Sequence, residues 1–221
     1  MVLNSMFNQW QRYNISYTHA YKGSIGDFRA GDPKYSINTE YSQLKEWYGY
    51  GLLAGLAFTF SYAICGIFAG LVSDNVNRKM MLSCAAIAWS SCTLLSGIIH
   101  NYWILFFFRF CIGIFESVFN PCAYGIISDY FHPSSRTTAN SIFNLGVYLG
   151  GALSSITIIM ITSLGWRGTY EITGIGGMII GIVTLIFVIE PKRGKFELPK
   201  AKVVQQLSIG QRWIGAAKEI F

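Results

Sequence analysis

The chain has 221 residues, 52% of them hydrophobic and only 13% charged, with a formal net charge of +6. A soluble domain carries roughly 25% charged residues, so a large water-exposed surface is excluded. The basic residues gather at the ends of long apolar runs rather than on the face of a folded soluble module, which excludes nucleic acid as the partner of the positive charge.

Residues 1–22 are aromatic and polar, with Arg12 in the middle. Alone they make a poor membrane span. Inside a bundle they serve as a weak or shortened first transmembrane helix, with Arg12 turned toward other helices. Residues 23–46 form a polar extramembrane loop, punctuated by Gly31 and Pro33 and expected to be exposed. No Asp, Glu, Lys or Arg occurs between Trp47 and Ser73, a run longer than the ~20 apolar residues that cross ~30 Å of hydrocarbon. Further helices are predicted at about 80–99, 102–129, 137–163 and 168–190, the last stopped by Pro191. Residues 47–190 thus read as a five-helix transmembrane bundle, and 191–221 as a linker or tail. That tail begins charged and ends mildly amphipathic around Leu207, Trp213, Ile214 and Ile220, which fits a surface-lying helix or a plain capping segment. The fold class is all-α, a polytopic transmembrane bundle of five to six spans.

Lys and Arg set the orientation. One set of connections holds Arg78 and Lys79, then Arg136, then Lys192, Arg193, Lys195, Lys200 and Lys202; the other holds His100 and Asn101, then Arg167 alone. The basic set, and with it the C-terminal tail, is expected to be cytoplasmic. Cys65, Cys84, Cys92, Cys111 and Cys122 all lie in apolar segments and read as small hydrophobes. His19, His100 and His132 are too scattered to bind a metal, and no nucleophile–base pair or phosphate loop is present, so no cofactor and no enzymatic chemistry are expected. The sequon Asn14-Ile15-Ser16 reads as a chance occurrence on a buried helix.

Function must lie in the polar groups kept at membrane depth. Arg109, Gly113 and Glu116 recur at i, i+4 and i+7, and Asn120 extends the same helical face. Burying such charges costs several kcal/mol unless they are paired or wet, so this face should point into the bundle. Asp74, Arg78 and Lys79 surround a helix-to-helix turn after Gly70, where a partly desolvated Asp–Arg pair can latch a conformation. An ordinary snorkelling loop explains the same residues equally well. Gly70 is expected to allow close helix approach. Gly146 and Gly150 have the G-x-x-x-G spacing of tight packing, as do Gly51 and Gly55.

The segment from Gly70 to Lys79 resembles the G-x-x-x-D-x-x-x-R-K loop of major facilitator superfamily transporters, with Asn75 and Asn77 as departures. Arg109-x-x-x-Gly113-x-x-Glu116 is similar to the fourth helix of the spinster-like branch. Asp129-Tyr130-Phe131 with Arg136, Gly165-Trp166-Arg167, and Glu190 to Gly194 are similar to its later turns. In helix one the branch often carries Asn-x-x-Asp-Arg; here Gln11 replaces the acid and Arg12 is kept.

The resemblance implies the N-terminal six-helix half of a transporter, with membrane lipid around it and a C-terminal half or second copy as partner. It implies alternating access for an amphipathic or anionic organic solute, a lysolipid or sphingoid phosphate for example. Arg12, Arg109, Glu116 and Asn120 would bind or couple. Gly70, Asp74, Arg78, Lys79, Asp129 and Arg136 would form the latch, and Gly113, Gly146 and Gly150 would pack helices, the last two against the opposite half or within this one. A non-transporting scaffold derived from a transporter half is the alternative.

Overall fold

The computed structural model describes residues 1–19, 32–40 and 51–191. The tail with its amphipathic stretch, most of the first loop and the start of the second helix lie outside the described residues.

Helix α1 runs Val2–His19, about 27 Å at 1.5 Å per residue, a little short of the hydrocarbon thickness. It packs inside out: Asn4, Ser5, Asn8, Gln11, Asn14 and Thr18 are all buried. Gln11, Asn14 and Thr18 find hydrogen-bond partners there, whereas Asn4 Nδ2, Ser5 Oγ and Asn8 Nδ2 have none among the described residues. Asn14 is fully buried, as expected for the sequon.

Within the first loop, the described residues 32–40 are not exposed throughout, as the loop's composition predicts them to be. Tyr35, Ser36 and Ile37 are buried, and α2, a single turn at Ile37–Glu40, closes the described part. Ile37 joins an apolar cluster with Ile15, Leu53, Leu105, Trp166 and Tyr170, so hydrophobic burial pins a strand of loop that its Pro and polar residues alone would leave in water.

A π-helical stretch, Gly51–Phe60, leads into α3, Ser61–Ser73. Helix α4 is Arg78–Ile98, started by Asn77, whose side chain accepts from the Met80 amide at 2.9 Å. The predicted fourth span divides into α5, Tyr102–Ser117, and α6, Phe119–Tyr130. Pro121 explains the break, since its ring crowds the carbonyl four residues back, at Ser117.

After a 3-10 turn at Pro133–Ser135 comes α7, Arg136–Leu153, then α8, Ile156–Phe187. The predicted fifth span is therefore α7 plus the first turns of α8. Ser154, whose hydroxyl donates to the Gly151 carbonyl, sits at the interruption, a local bond that competes with the helical ladder. Gly165, at φ +79°, separates the fifth span from the sixth. The sixth ends at Phe187, before the predicted limit, because Pro191 disfavours helical geometry at the residue preceding it and the chain is already extended at Val188. Among the described residues, four helical segments are long and apolar enough to cross a membrane: Gly55–Ser73, Arg78–Ile98, Tyr102–Tyr130 and Ile156–Phe187.

Glycines set the closest crossings. A Cβ on Gly174 would meet Leu94 at 2.7 Å and one on Gly181 would meet Ile87 at 2.8 Å, so α4 and α8 lie almost backbone to backbone. Gly146 leaves 2.7 Å to the Val2 carbonyl, and Gly150 faces the Met6 carbonyl. The G-x-x-x-G of α7 thus packs on α1, within this half. Gly113 makes room for Ser61 and the Phe58 carbonyl. Gly70 does not play the expected part. Among the described residues nothing lies within 4 Å of a Cβ built there.

Candidate functional site

Arg12 on α1 and Arg109 on α5 line one cavity of about 430 Å³, together with Gln9, Tyr13, Ser16, Phe58 and Thr59. The sequence places them 97 residues apart; the α1–α5 arrangement brings them together. Neither forms an ion pair among the described residues. The Arg12 guanidinium lies 4.8 Å from the Phe58 ring centre and 4.9 Å from that of Tyr62, and the two rings stack at 5.7 Å. Such cation–π contacts each contribute about 0.5–2 kcal/mol and leave the positive charge in place. Asn120 holds Tyr62 by donating to its hydroxyl at 3.1 Å. Asn120 is therefore one step behind the cavity, supporting an aromatic wall.

Arg109 is 2% exposed. It donates from Nη2 to the hydroxyl of Tyr170 and sits 5.4 Å from that ring's centre. Among the described residues its Nε has no hydrogen-bond partner, nor has either carboxylate oxygen of the buried Glu116. Arg12 and Arg109 both lie within electrostatic reach of Glu116. Arg109 and Glu116 share the inward face of α5 that their spacing predicts, but only Arg109 opens onto the cavity; Glu116 is enclosed behind it.

Gln11 sits in a neutral seam between α1, α4 and α8. It donates to the Thr173 carbonyl at 2.6 Å and lies 3.5 Å from the donating hydroxyl of Thr93. Asn14 bridges Thr173 and Thr157 at 2.9 and 2.8 Å, and Trp10 donates to Thr157 at 2.9 Å. An amide suits this place because both of its ends are used.

At the basic end, Arg78 gathers three groups. It pairs with Asp129 at 2.6 Å and Asp74 at 3.2 Å, and donates to the Ser73 carbonyl at 3.2 Å. Asp129 is the buried partner, at 4% side-chain exposure against 38% for Asp74. Lys79 enters through its backbone: its amide and that of Arg78 donate to Glu190 at 2.7 and 3.1 Å. Glu190 thereby caps the first turn of α4 with negative charge. Arg136 stays apart. It donates to the Phe131 carbonyl at 3.2 Å and forms no ion pair among the described residues. Its separation follows from the 3-10 turn, which carries α7 away from Asp129.

The opposite end holds a cluster that charge counting missed. Arg167 pairs with Glu40 and donates to the carbonyls of Gly97 and Ile99 at 2.9 and 2.5 Å. Reading it as a lone cation overlooked a partner 127 residues away in the loop. Phe58, Tyr62 and Tyr170 were also missed. The only sequence signal for the first two is their i, i+4 spacing on one helical face.

The Major Facilitator Superfamily profile matches residues 35–221. The chain is 34% identical over 155 residues to the sphingosine-1-phosphate transporter SPNS2 of Danio rerio, covering 68% of this chain and 31% of that protein. It is 30% identical over 126 residues to a probable L-galactonate transporter of Escherichia coli strain K12, covering 57% of this chain and 28% of that protein. A crystal structure of a bacterial homologue of the human lysosomal transporter Spinster, inward-facing and occupied, superposes with a TM-score of 0.70 at 26% identity, covering 89% of this chain and 44% of that one. The chain thus spans about a third of these curated relatives and under half of the solved structure. The inward polar stripe, the two-arginine cavity and the Arg78 cluster sit on that shared frame, and the chain belongs to the major facilitator superfamily, as a multi-pass integral membrane protein built like the N-terminal half of its spinster-like members.

Proposed function

We propose that this half serves a secondary transporter that moves an anionic, lipid-like organic solute by alternating access. The observation that carries the reading is the pair of guanidinium groups on one cavity, neither matched by a carboxylate in an ion pair among the described residues. Aromatic rings hold Arg12 and Tyr170 holds Arg109. Both cations therefore remain available to an acidic headgroup, and Arg binds phosphate and carboxylate with a preorganised fork of donors. A space of about 430 Å³ is the size of a headgroup, not of a whole lipid.

The solutes for which these relatives are named, sphingosine-1-phosphate and L-galactonate, share an acidic group. That is the chemistry transferred here; the lipid character follows the spinster-like relatives. Glu116 gates or couples, by exchanging its negative charge for a proton, since Gln11 offers none to exchange. The Arg78–Asp129–Asp74 cluster latches one conformation, and the basic end faces the cytoplasm by the charge rule. A scaffold reading gains no support, as these relatives are transporters.

The test is uptake of sphingosine-1-phosphate by the full-length transporter in proteoliposomes. Arg109→Ala should lower uptake about tenfold or more, the loss of a charge-assisted hydrogen bond. Glu116→Gln should abolish its response to an imposed pH gradient. Wild-type uptake in both variants would remove the site assignment.

A further inference from the structure

We propose that residues 32–40 are a working part of the cavity, positioning Arg109 through Trp166 and Tyr170. The proposal deepens the transport reading and rests on it. Three sets of contacts carry it.

The first fastens the loop strap to the start of the sixth span. Glu40 accepts from the Trp166 indole at 2.9 Å, and the Pro33 carbonyl accepts from the same donor at 3.2 Å. The Trp166 amide donates to the Lys34 carbonyl at 3.1 Å. Gly165, at φ +79°, leaves only 2.7 Å between a notional Cβ and that carbonyl, so the strap lies flush on the chain. Glu40 also pairs with Arg167, which grips the last carbonyls of α4.

The second set passes from Trp166 to Tyr170, one turn on. Their rings meet edge to face, 5.8 Å apart at 90°. Both side chains are fully buried, so the indole cannot shift without displacing the phenol.

The third set reaches the cavity. Arg109 Nη2 donates to the Tyr170 hydroxyl, while its Nε has no partner among the described residues. A guanidinium with few anchors takes its direction from the one it has. The strap fixes Trp166, Trp166 fixes Tyr170, and Tyr170 aims Arg109. Glu40, Trp166 and Tyr170 are positioning residues, since none of them is needed to touch the solute.

A plain brace would hold the same contacts and affect only folding, so the readout must be Arg109 itself. In the purified full-length transporter, phenylglyoxal modification of Arg109 is followed by mass spectrometry, without any solute. Modification should be slow in the wild type. It should quicken about tenfold in Tyr170→Phe, which keeps the ring and loses a hydrogen bond to a charged group, and about threefold in Glu40→Gln and in Trp166→Phe, which loosen the strap and reach Arg109 only through Tyr170. Glu40→Gln added to Tyr170→Phe should change little more, because residues in one network are not additive. Sphingosine-1-phosphate uptake should show the same order as a rise in KM with the maximal rate kept.

Trp166→Phe retains an aromatic filler and serves if Glu40→Gln does not fold. Wild-type labelling of Arg109 in a folded Glu40→Gln or Trp166→Phe protein, with Tyr170→Phe accelerated, would overturn the relay. Equal, additive effects in the double variant would also overturn it. If the labelling order holds while no variant, nor the wild type, moves sphingosine-1-phosphate, the relay stands and the solute reading fails.

Discussion

The two ends of α4 are held in opposite ways by the same neighbour. At its N-terminus, Glu190, just beyond α8, accepts two backbone amides; at its C-terminus, Arg167, near the start of the sixth span, donates to two backbone carbonyls. Each sign opposes the partial charge of the helix end it meets. The ends differ in depth. Arg78 and Asp129 are 7% and 4% exposed, whereas Arg167 and Glu40 are 21% and 19%. A dry pair is rigid and costly to halve. A wetter pair is easier to loosen, and here it ties a surface strap to the interior. One end is built to hold, the other to transmit.

This contrast can be broken by substitution, read as the thermal unfolding of the purified protein. Asp129→Ala should be the most damaging, at about 3 kcal/mol, because it leaves the buried Arg78 with only the more exposed Asp74 as a counter-charge. Equal tolerance of Asp129→Ala and Asp74→Ala would erase the distinction between the ends. Arg167→Ala should cost about 2 kcal/mol: it removes charge-assisted bonds to two carbonyls, but from a site that water can partly enter. Loss as large as that of Asp129→Ala would show the second end to be equally dry. Glu190→Gln keeps one acceptor for the two α4 amides and loses the other along with the charge, so about 1–1.5 kcal/mol is expected, the charge part shrinking with added salt. Asp74→Ala should be the mildest, below about 1 kcal/mol, since its carboxylate is more than a third exposed and Asp129 still pairs Arg78. A fall of several kcal/mol there would move the weight of the cluster from Asp129 to Asp74.

Much of the site was legible. The i, i+4, i+7 spacing turned Arg109 and Glu116 inward, and the structure buries both. Arg78 and Asp129 sit in one cluster, as the resemblance implied. What was illegible has a common cause. Gly70 and Gly150 both carry the small-residue signal, yet one faces open space and the other the α1 backbone. Local sequence does not say which side of a helix meets a neighbour. Arg136 likewise shares the charge pattern of the latch but is turned away by a short 3-10 turn. The pairing of Arg167 with Glu40 joins a loop to a helix end through the bundle, and no spacing rule spans such a distance.

By itself the sequence determined that this chain lies in a membrane as a set of helices and that Arg109, Gly113 and Glu116 share one helical face. These follow from hydropathy and from the 3.6-residue period, both of which act within a few turns. Tertiary structure alone decided that Arg12 and Arg109 share a cavity, that Tyr170 rather than an acid meets Arg109, and that residues 32–40 lie folded against the bundle. Those outcomes depend on how whole helices cross, and crossing is set by glycine contacts and buried rings that only become neighbours once the chain is packed.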